Sequence, residues 1–310
     1  MSTATHTYRR LSVPVEGGEL AVGLWEPFIN DDDAAASVAS VLAVHGVTAS
    51  HIAWKRVAEH LPRVRVIAPD LRGRGASNQL PGPYGMPRHA ADLAAVVKHF
   101  GLFGIPVIGH SMGAFASLVF AHQYPELVSE LLLVDGGFPL DGPADENVTD
   151  EELVKSVLGP AAERLTMEFE SVEVYKDFWK KHPAFAENWN DVTEDYVTYD
   201  LQHHGGVLQP ATAVEALMQD TVDLHRGQCI RDALANLRVK TTFLRSPLGL
   251  FAEPPGLYSP ERAAQWAAQY PGVTLENVPN TNHYTIVMDD PGASNVATHI
   301  TAMVDRLDRS

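Results

Sequence analysis

The chain of 310 residues contains a single cysteine, Cys229, so no intrachain disulfide can form, and a zinc site built from several thiolates is excluded. It has no run of about 18 apolar residues, so no membrane span is expected. The first ten residues, MSTATHTYRR, lack the apolar stretch of a secretion signal. The single cysteine and the lack of a membrane span and of a secretion signal predict a protein located in the reducing environment of the cytoplasm.

Basic residues are also scarce. Lys and Arg number 23 against 39 Asp and Glu, which gives a formal charge of −16. Nucleic acids and anionic membrane surfaces are bound through a basic footprint, so neither is expected as a partner. An acidic surface by itself serves solubility and does not identify a substrate. The oligomeric state stays open, a homo-oligomer included.

Short apolar runs alternate with helical segments in the first part of the chain. Continuous apolar runs bounded by Gly or Pro are typical of strands buried on both faces, and their alternation with helices predicts a doubly wound, mostly parallel sheet. The predicted strands are residues 7–15, 19–26, 40–44, 65–68, 105–109 and 130–134, and the predicted helices are 51–61, 86–100 and 112–123.

After Gly137 the sequence is rich in aromatic residues and in helical spacing, with no clear strand. The next predicted strand is residues 239–244. A helix at 259–269, a strand at 273–278 and a helix at 292–307 follow. The chain is therefore predicted to have an α/β core formed by residues 1–137 and 238–310. Residues 138–237 are predicted to form a helical cap inserted after the sixth strand.

The strongest motif is Gly-His-Ser-Met-Gly at residues 109–113, which follows a predicted strand and precedes a helix of small residues. This is the context that a G-x-S-x-G nucleophile elbow requires. Such a turn holds the serine Oγ at the carboxyl ends of the strands, where open α/β sheets place their sites. Ser111 is the candidate nucleophile.

A nucleophilic serine needs an oxyanion hole and a base. Two backbone N–H groups must face the developing oxyanion, and those of Val47 and Met112 are the candidates. Val47 follows His45-Gly46 at the end of an earlier strand, and both of these residues are predicted to contact the substrate. A base must remove the serine proton, and His283, in the loop after the last strand, is the candidate.

The carboxylate that orients the base has two candidates. Asp135 directly ends the strand 130–134, whereas Glu253 lies in a loop rich in Pro and Gly after the strand 239–244. Either can reach Nδ1 of a histidine at this edge of the sheet. The residues alone leave both open.

Together these motifs resemble the α/β-hydrolase superfamily, in the branch that contains esterases, lactonases, epoxide hydrolases and haloalkane dehalogenases. Residues 69–77, PDLRGRGAS, resemble that family's D-x-R-G-x-G-x-S loop, and the elbow, His45-Gly46 and His283 match in order. The resemblance covers residues 7–137 and 238–308. It implies an eight-stranded, mostly parallel, twisted sheet flanked by helices and carrying a helical cap.

The chain departs from this family's sequence pattern at the carboxylate that orients the catalytic histidine. Members usually carry Asp in a tight G-x-x-D turn after the strand that ends here at Leu244, but residues 246–253 contain no Asp. Some members place the acid one strand earlier, 24 residues past the nucleophile, and Asp135 lies 24 residues after Ser111. The resemblance therefore favours Asp135 over Glu253.

The predicted function is hydrolysis of a carboxylic ester or lactone of an apolar or aromatic small molecule through an acyl-enzyme, with no metal or organic cofactor. Dehalogenases and epoxide hydrolases use a carboxylate nucleophile, which Ser111 does not provide. Trp54, Trp179 and Trp189 are predicted to line the substrate pocket. The alternatives are hydrolysis of a C–C bond or an amide with the same residues, and a non-catalytic ligand receptor with a hydrolase fold.

Overall fold

A computed structural model describes residues 6–28, 38–140, 149–307 and 309. The first five residues of the predicted core and residues 141–148 of the predicted cap lie outside this range. Eight strands form one sheet, as predicted. They are β1 (His6–Val15), β2 (Gly18–Pro27), β3 (Ser40–Val44), β4 (Arg65–Pro69), β5 (Ile105–His110), β6 (Val128–Val134), β9 (Lys240–Arg245) and β10 (Val273–Asn277).

The sheet order is β1-β2-β4-β3-β5-β6-β9-β10. The pairs β1/β2 and β2/β4 are antiparallel, and the remaining pairs are parallel. Strands β3 and β5 are fully buried, as continuous apolar runs predict. The observed sheet confirms the predicted fold class.

Helices cover both faces of the sheet and give two apolar cores. The helices on the two faces are α1 (Lys55–Glu59), α2 (Met86–His99), α3 (Met112–Gln123), α9 (Pro260–Gln269), α10 (Thr285–Met288) and α11 (Gly292–Leu307). One core packs β-strand side chains against α2, α3 and α9, and the other packs them against α1, α10 and α11. In the described ranges, no helix is both long and apolar enough to cross a membrane.

Among the described residues between β6 and β9, in the predicted cap, there are five helices. They are α4 (Asp150–Leu165), α5 (Val172–Trp179), α6 (Asp191–Asp200), α7 (Val214–Arg226) and α8 (Gln228–Ala235). The expectation of no strand in this region is wrong, because β7 (Leu201–His204) and β8 (Val207–Pro210) form an antiparallel hairpin. Its two-residue turn is Gly205-Gly206, with φ of 58° and 99°, a conformation that glycine adopts without strain.

The start of α3 lies unusually close to β3. A Cβ atom placed on Gly113 would lie 2.2 Å from the carbonyl oxygen of Val44, which is backbone and cannot rotate away. The absence of a side chain at Gly113 therefore lets the helix that begins at Met112 rest directly on the sheet. This contact holds the turn between β5 and α3 in place.

We expect Gly113→Ala to lower the free energy of unfolding by roughly 3 kcal/mol, because the added methyl group forces α3 away from β3. Gly272→Ala is the matched control, since nothing lies within 4 Å of its added Cβ. Urea unfolding followed by circular dichroism measures both. Equal stability of the two variants would contradict the packing argument.

Candidate active site

Ser111 occupies the turn between β5 and α3 in a strained backbone conformation. Its φ is 55° and its ψ is −125°, a region that residues other than glycine rarely adopt. Its N–H donates to the carbonyl of Val134 on the neighbouring strand at 3.0 Å, which fixes the turn. The Ser111 side chain is half-buried and lines a cavity beneath the cap.

His283 lines the same cavity and is held by a buried carboxylate. Its Nδ1 lies 2.7 Å from Oδ2 of Asp135, and both side chains are buried. The other carboxylate oxygen of Asp135 accepts a hydrogen bond from the backbone N–H of Ser246 at 3.1 Å. Because Nδ1–H donates to Asp135, Nε2 of the neutral ring carries the lone pair and is the atom able to accept a proton.

The two candidate acids have different surroundings. Asp135 ends β6 with φ of 45°, and its own N–H donates to the carbonyl of Leu244 on β9 at 2.8 Å. Glu253 is exposed, and its carboxylate accepts from the backbone N–H of Phe251 at 2.7 Å, within its own loop. The structure therefore brings Asp135, and not Glu253, to His283.

The candidate oxyanion residues, Val47 and Met112, line the cavity together with Gly46 and Ser111. Met112 is the first residue of α3, so its N–H has no acceptor within the helix. The positive end of the helix dipole lies at the same place and favours negative charge there. A carbonyl oxygen beside Ser111 would meet this end of α3.

His45 was predicted to contact substrate, but it is fully buried and does not line the cavity. Its Nδ1–H donates to the carbonyl of Gly46 at 2.8 Å, and its Nε2 accepts from the N–H of Leu71 at 2.9 Å. Burial lowers the pKa of His45 to about 4, so the ring is neutral at pH 7. His45 thus supports the loop that carries Val47.

His110 supports the base in a similar way, a role not assigned from the sequence. Its Nε2–H donates to the backbone carbonyl of His283 at 2.7 Å, and the two ring centroids are 4.7 Å apart. Burial, with the neighbouring His283, lowers the pKa of His110 well below the usual histidine range. The only sequence signal for this contact is its position next to Ser111 in the elbow.

The three tryptophans predicted to line the pocket lie elsewhere. Trp54 is completely buried in the core. Trp179 belongs to the core of the cap, where the guanidinium of Arg164 lies 4.9 Å from its ring centroid. Trp189 packs beside Lys180, whose Nζ is 5.4 Å from the ring centroid. Large aromatic side chains in the cap fill its own interior, so aromatic content did not identify pocket residues.

The cavity above Ser111 has a volume of about 90 Å³ and a mostly apolar lining. The predicted cap contributes Leu140, Tyr196, Thr221, Leu224 and His225, which the sequence analysis did not select. Tyr196 is the aromatic residue of α6 that reaches the cavity, and its hydroxyl donates to the carbonyl of Thr48 at 3.3 Å. Across the described residues, no three His, Cys, Asp or Glu side chains converge as a metal site.

Comparison with known proteins agrees with this architecture. A family model described as the alpha/beta hydrolase fold matches residues 39–197, just over half of the chain. The chain belongs to this family. The fold also aligns with E-2-(acetamidomethylene)succinate hydrolase, at a TM-score of 0.73 and 20% identity over 97% of this chain and 99% of the other. The thioesterase domain of the curacin biosynthetic pathway aligns at a TM-score of 0.71 and 18% identity, over 96% and 99%.

A sequence relative covers a shorter part of this hydrolase-family chain. Lipase LipV of Mycobacterium tuberculosis is 36% identical over 127 residues, which span 41% of this chain and 48% of LipV. The chain thus matches about half the length of this curated relative. The two solved structures share the fold of this chain at only 20% and 18% sequence identity. A shared fold does not determine the reaction, so the reaction has to be inferred from the residues of the site.

We expect Asp135→Asn to lower kcat about 10³- to 10⁴-fold, because an amide cannot stabilise the imidazolium or hold the required tautomer of His283. Glu253→Gln is the matched control and should retain activity within about twofold, since Glu253 bonds only to its own loop. Hydrolysis of a p-nitrophenyl ester measures both variants. The reverse order of activities would assign the acid to Glu253.

Proposed function

We propose that this protein is a serine hydrolase that cleaves a carboxylic ester or lactone of a small apolar molecule through an acyl-enzyme. The observation that carries the proposal is the 2.7 Å contact of Asp135 with His283 at the cavity that also contains Ser111. A buried acid, an imidazole and a hydroxyl in this arrangement are the groups that nucleophilic acyl transfer needs.

In the proposed reaction, Oγ of Ser111 attacks the carbonyl carbon while Nε2 of His283 takes the hydroxyl proton. The oxyanion is held by the N–H groups of Val47 and Met112. Collapse of the tetrahedral intermediate expels the alkoxide, which takes the proton from His283. A water molecule then loses a proton to the same imidazole and attacks the acyl carbonyl, which releases the acid and restores Ser111.

The lining of the cavity supports a small apolar acyl group. Phe115, Leu140 and Met288 contribute apolar surface to it. A serine nucleophile also separates this reaction from dehalogenation and epoxide opening, which proceed through a carboxylate nucleophile. The lipase name of a relative that matches about half its own length is consistent with an ester.

The proposed base predicts a simple pH dependence. His45 has a pKa of about 4 and that of His110 is also well below the usual range, so neither changes charge between about pH 6 and 8. We expect kcat/KM to rise with pH with a slope of one on the acid side, as a mechanism with a single general base requires. Rates on an ester without ionisable groups measure this. A flat profile or a slope of two would contradict a single histidine base.

The proposed nucleophile is tested by intact-mass labelling with a small fluorophosphonate, which needs a nucleophilic serine, a base and an oxyanion hole. Wild type should gain one adduct, and Ser111→Ala, shown by circular dichroism to be folded, should gain none. Glu253→Gln is the control for substitution near the site and should label like wild type. If well-folded wild type gains no adduct, the proposed function is wrong and the alternative of a non-catalytic ligand receptor is favoured.

A further inference from the structure

The guanidinium of Arg74 is completely buried between the two residues assigned to the oxyanion hole. Its Nε donates to the carbonyl of Val47 at 2.9 Å, and its Nη2 lies 3.7 Å from Sδ of Met112. Its Nη1 donates to the carbonyl of Arg72 at 2.9 Å. One planar cation therefore contacts both residues that are assigned to the oxyanion hole.

The carboxylate that pairs with this cation comes from the cap. Arg74 Nη1 forms a buried ion pair with Oδ2 of Asp220 on α7. Asp220 is itself held from the core, because its Oδ1 accepts from the N–H of Gly85 at 2.6 Å and its Oδ2 lies 3.0 Å from Nε2 of His89. Burial acts to raise the pKa of Asp220, but Arg74 and His89 outweigh it and hold that pKa at about 2.

This arrangement makes the geometry of the oxyanion hole depend on the cap. A buried guanidinium without a counter-charge is costly, so Arg74 can stay in this place only while Asp220 is seated beside it. The Nε–H of Arg74 restrains the carbonyl of Val47, and thereby the conformation of a residue that lines the cavity and is proposed to supply one N–H of the oxyanion hole. A donor displaced from the oxyanion loses most of its effect on the transition state.

We propose that Arg74 is a positioning residue for the oxyanion hole and that Asp220 of the cap holds it there, so that seating of the cap and stabilisation of the oxyanion are coupled. This inference rests on the proposed serine hydrolase activity. It assigns no chemical step to Arg74, which acts through Val47 and Met112.

The same loop offers a matched control. Arg72, two residues earlier, is equally buried and forms an ion pair with Asp92 on α2, with Nε and Nη2 at 2.9 and 2.8 Å from the carboxylate. Its remaining hydrogen bonds go to the carbonyls of Pro81 and Glu16. Its hydrogen bonds thus include none to Val47 or Met112. Substitutions in the Arg72–Asp92 pair therefore measure the effect on stability and activity of breaking a buried ion pair that has no hydrogen bond to Val47 or Met112.

The experiment compares Asp220→Asn with Asp92→Asn, and Arg74→Lys with Arg72→Lys. A lysine keeps the charge for Asp220 but lacks the fork that reaches Val47 and Met112 together. For each variant, kcat and KM on a p-nitrophenyl ester, the rate of fluorophosphonate labelling, the pH profile and the unfolding midpoint are measured. Wild-type labelling at Ser111 is measured in the same series.

We expect Asp220→Asn and Arg74→Lys to lower kcat and the labelling rate about 10- to 100-fold, with KM changed less than threefold and the acid limb of the pH profile unmoved. Asp92→Asn and Arg72→Lys should lose a comparable amount of stability and keep kcat within about twofold. If Asp220→Asn does not fold, the two lysine variants decide the question.

Equal loss of kcat in the two pairs, or a loss confined to KM, would overturn the coupling while leaving the serine hydrolase intact. A shifted acid limb would also overturn it, because the defect would then lie at His283. Failure of wild type to label at Ser111 would instead remove the proposed function, and the coupling with it.

Discussion

The hydrogen bond between Asp135 and His283 joins residues that are 148 positions apart, and the candidate site depends on it. It forms because β6, β9 and β10 are neighbours in the sheet, so their carboxyl ends meet at one edge. Ser246, at the end of β9, donates its N–H to the same carboxylate. A buried carboxylate needs such partners to remain charged, and here they come from the segments whose mutual position the sheet already determines.

The predicted cap contacts the predicted core through buried polar groups as well as through apolar packing. The hydroxyl of Tyr199 on α6 donates to Asp70 at 2.6 Å, and Asp220 on α7 pairs with Arg74. Burial acts to raise the pKa of Asp70, but contacts that include His51 outweigh it and hold that pKa at about 2. Because these contacts are directional, a cap displaced by a small distance leaves buried charges without partners.

Much of this architecture could be predicted from the sequence because its signals are local. Apolar runs bounded by Gly or Pro identified the sheet strands, and the elbow motif placed Ser111 between β5 and α3. The residues alone left Asp135 and Glu253 open as partners of the base, and the family resemblance, through the spacing of 24 residues from Ser111, favoured Asp135. The hairpin β7–β8 was missed because its strands have four residues each, although Gly205-Gly206 is a recognised turn signal.

The pocket and the supporting contacts could not be predicted because they depend on three-dimensional packing. Trp179 and Tyr196 are both buried aromatic residues of the cap, yet only Tyr196 lines the cavity, and nothing in the local sequence distinguishes them. The pairing of Arg74 with Asp220 joins the core to the cap across 146 residues of chain. A charged residue in a loop motif shows that a charge is present but not which partner balances it.

The loop that follows Ser246 is separate from the carboxylate that contacts His283, which is that of Asp135 after β6. Leu250 and Leu257 of this loop line the cavity, while Glu253 bonds only to its own turn. Residues 247–257 therefore contribute to the cavity lining, and within them Leu248 forms a backbone bridge with Asn282, the neighbour of His283. Substitutions at Leu250 and Leu257 would change the lining of the cavity alone, whereas a change at Leu248 would also reach the segment that carries His283.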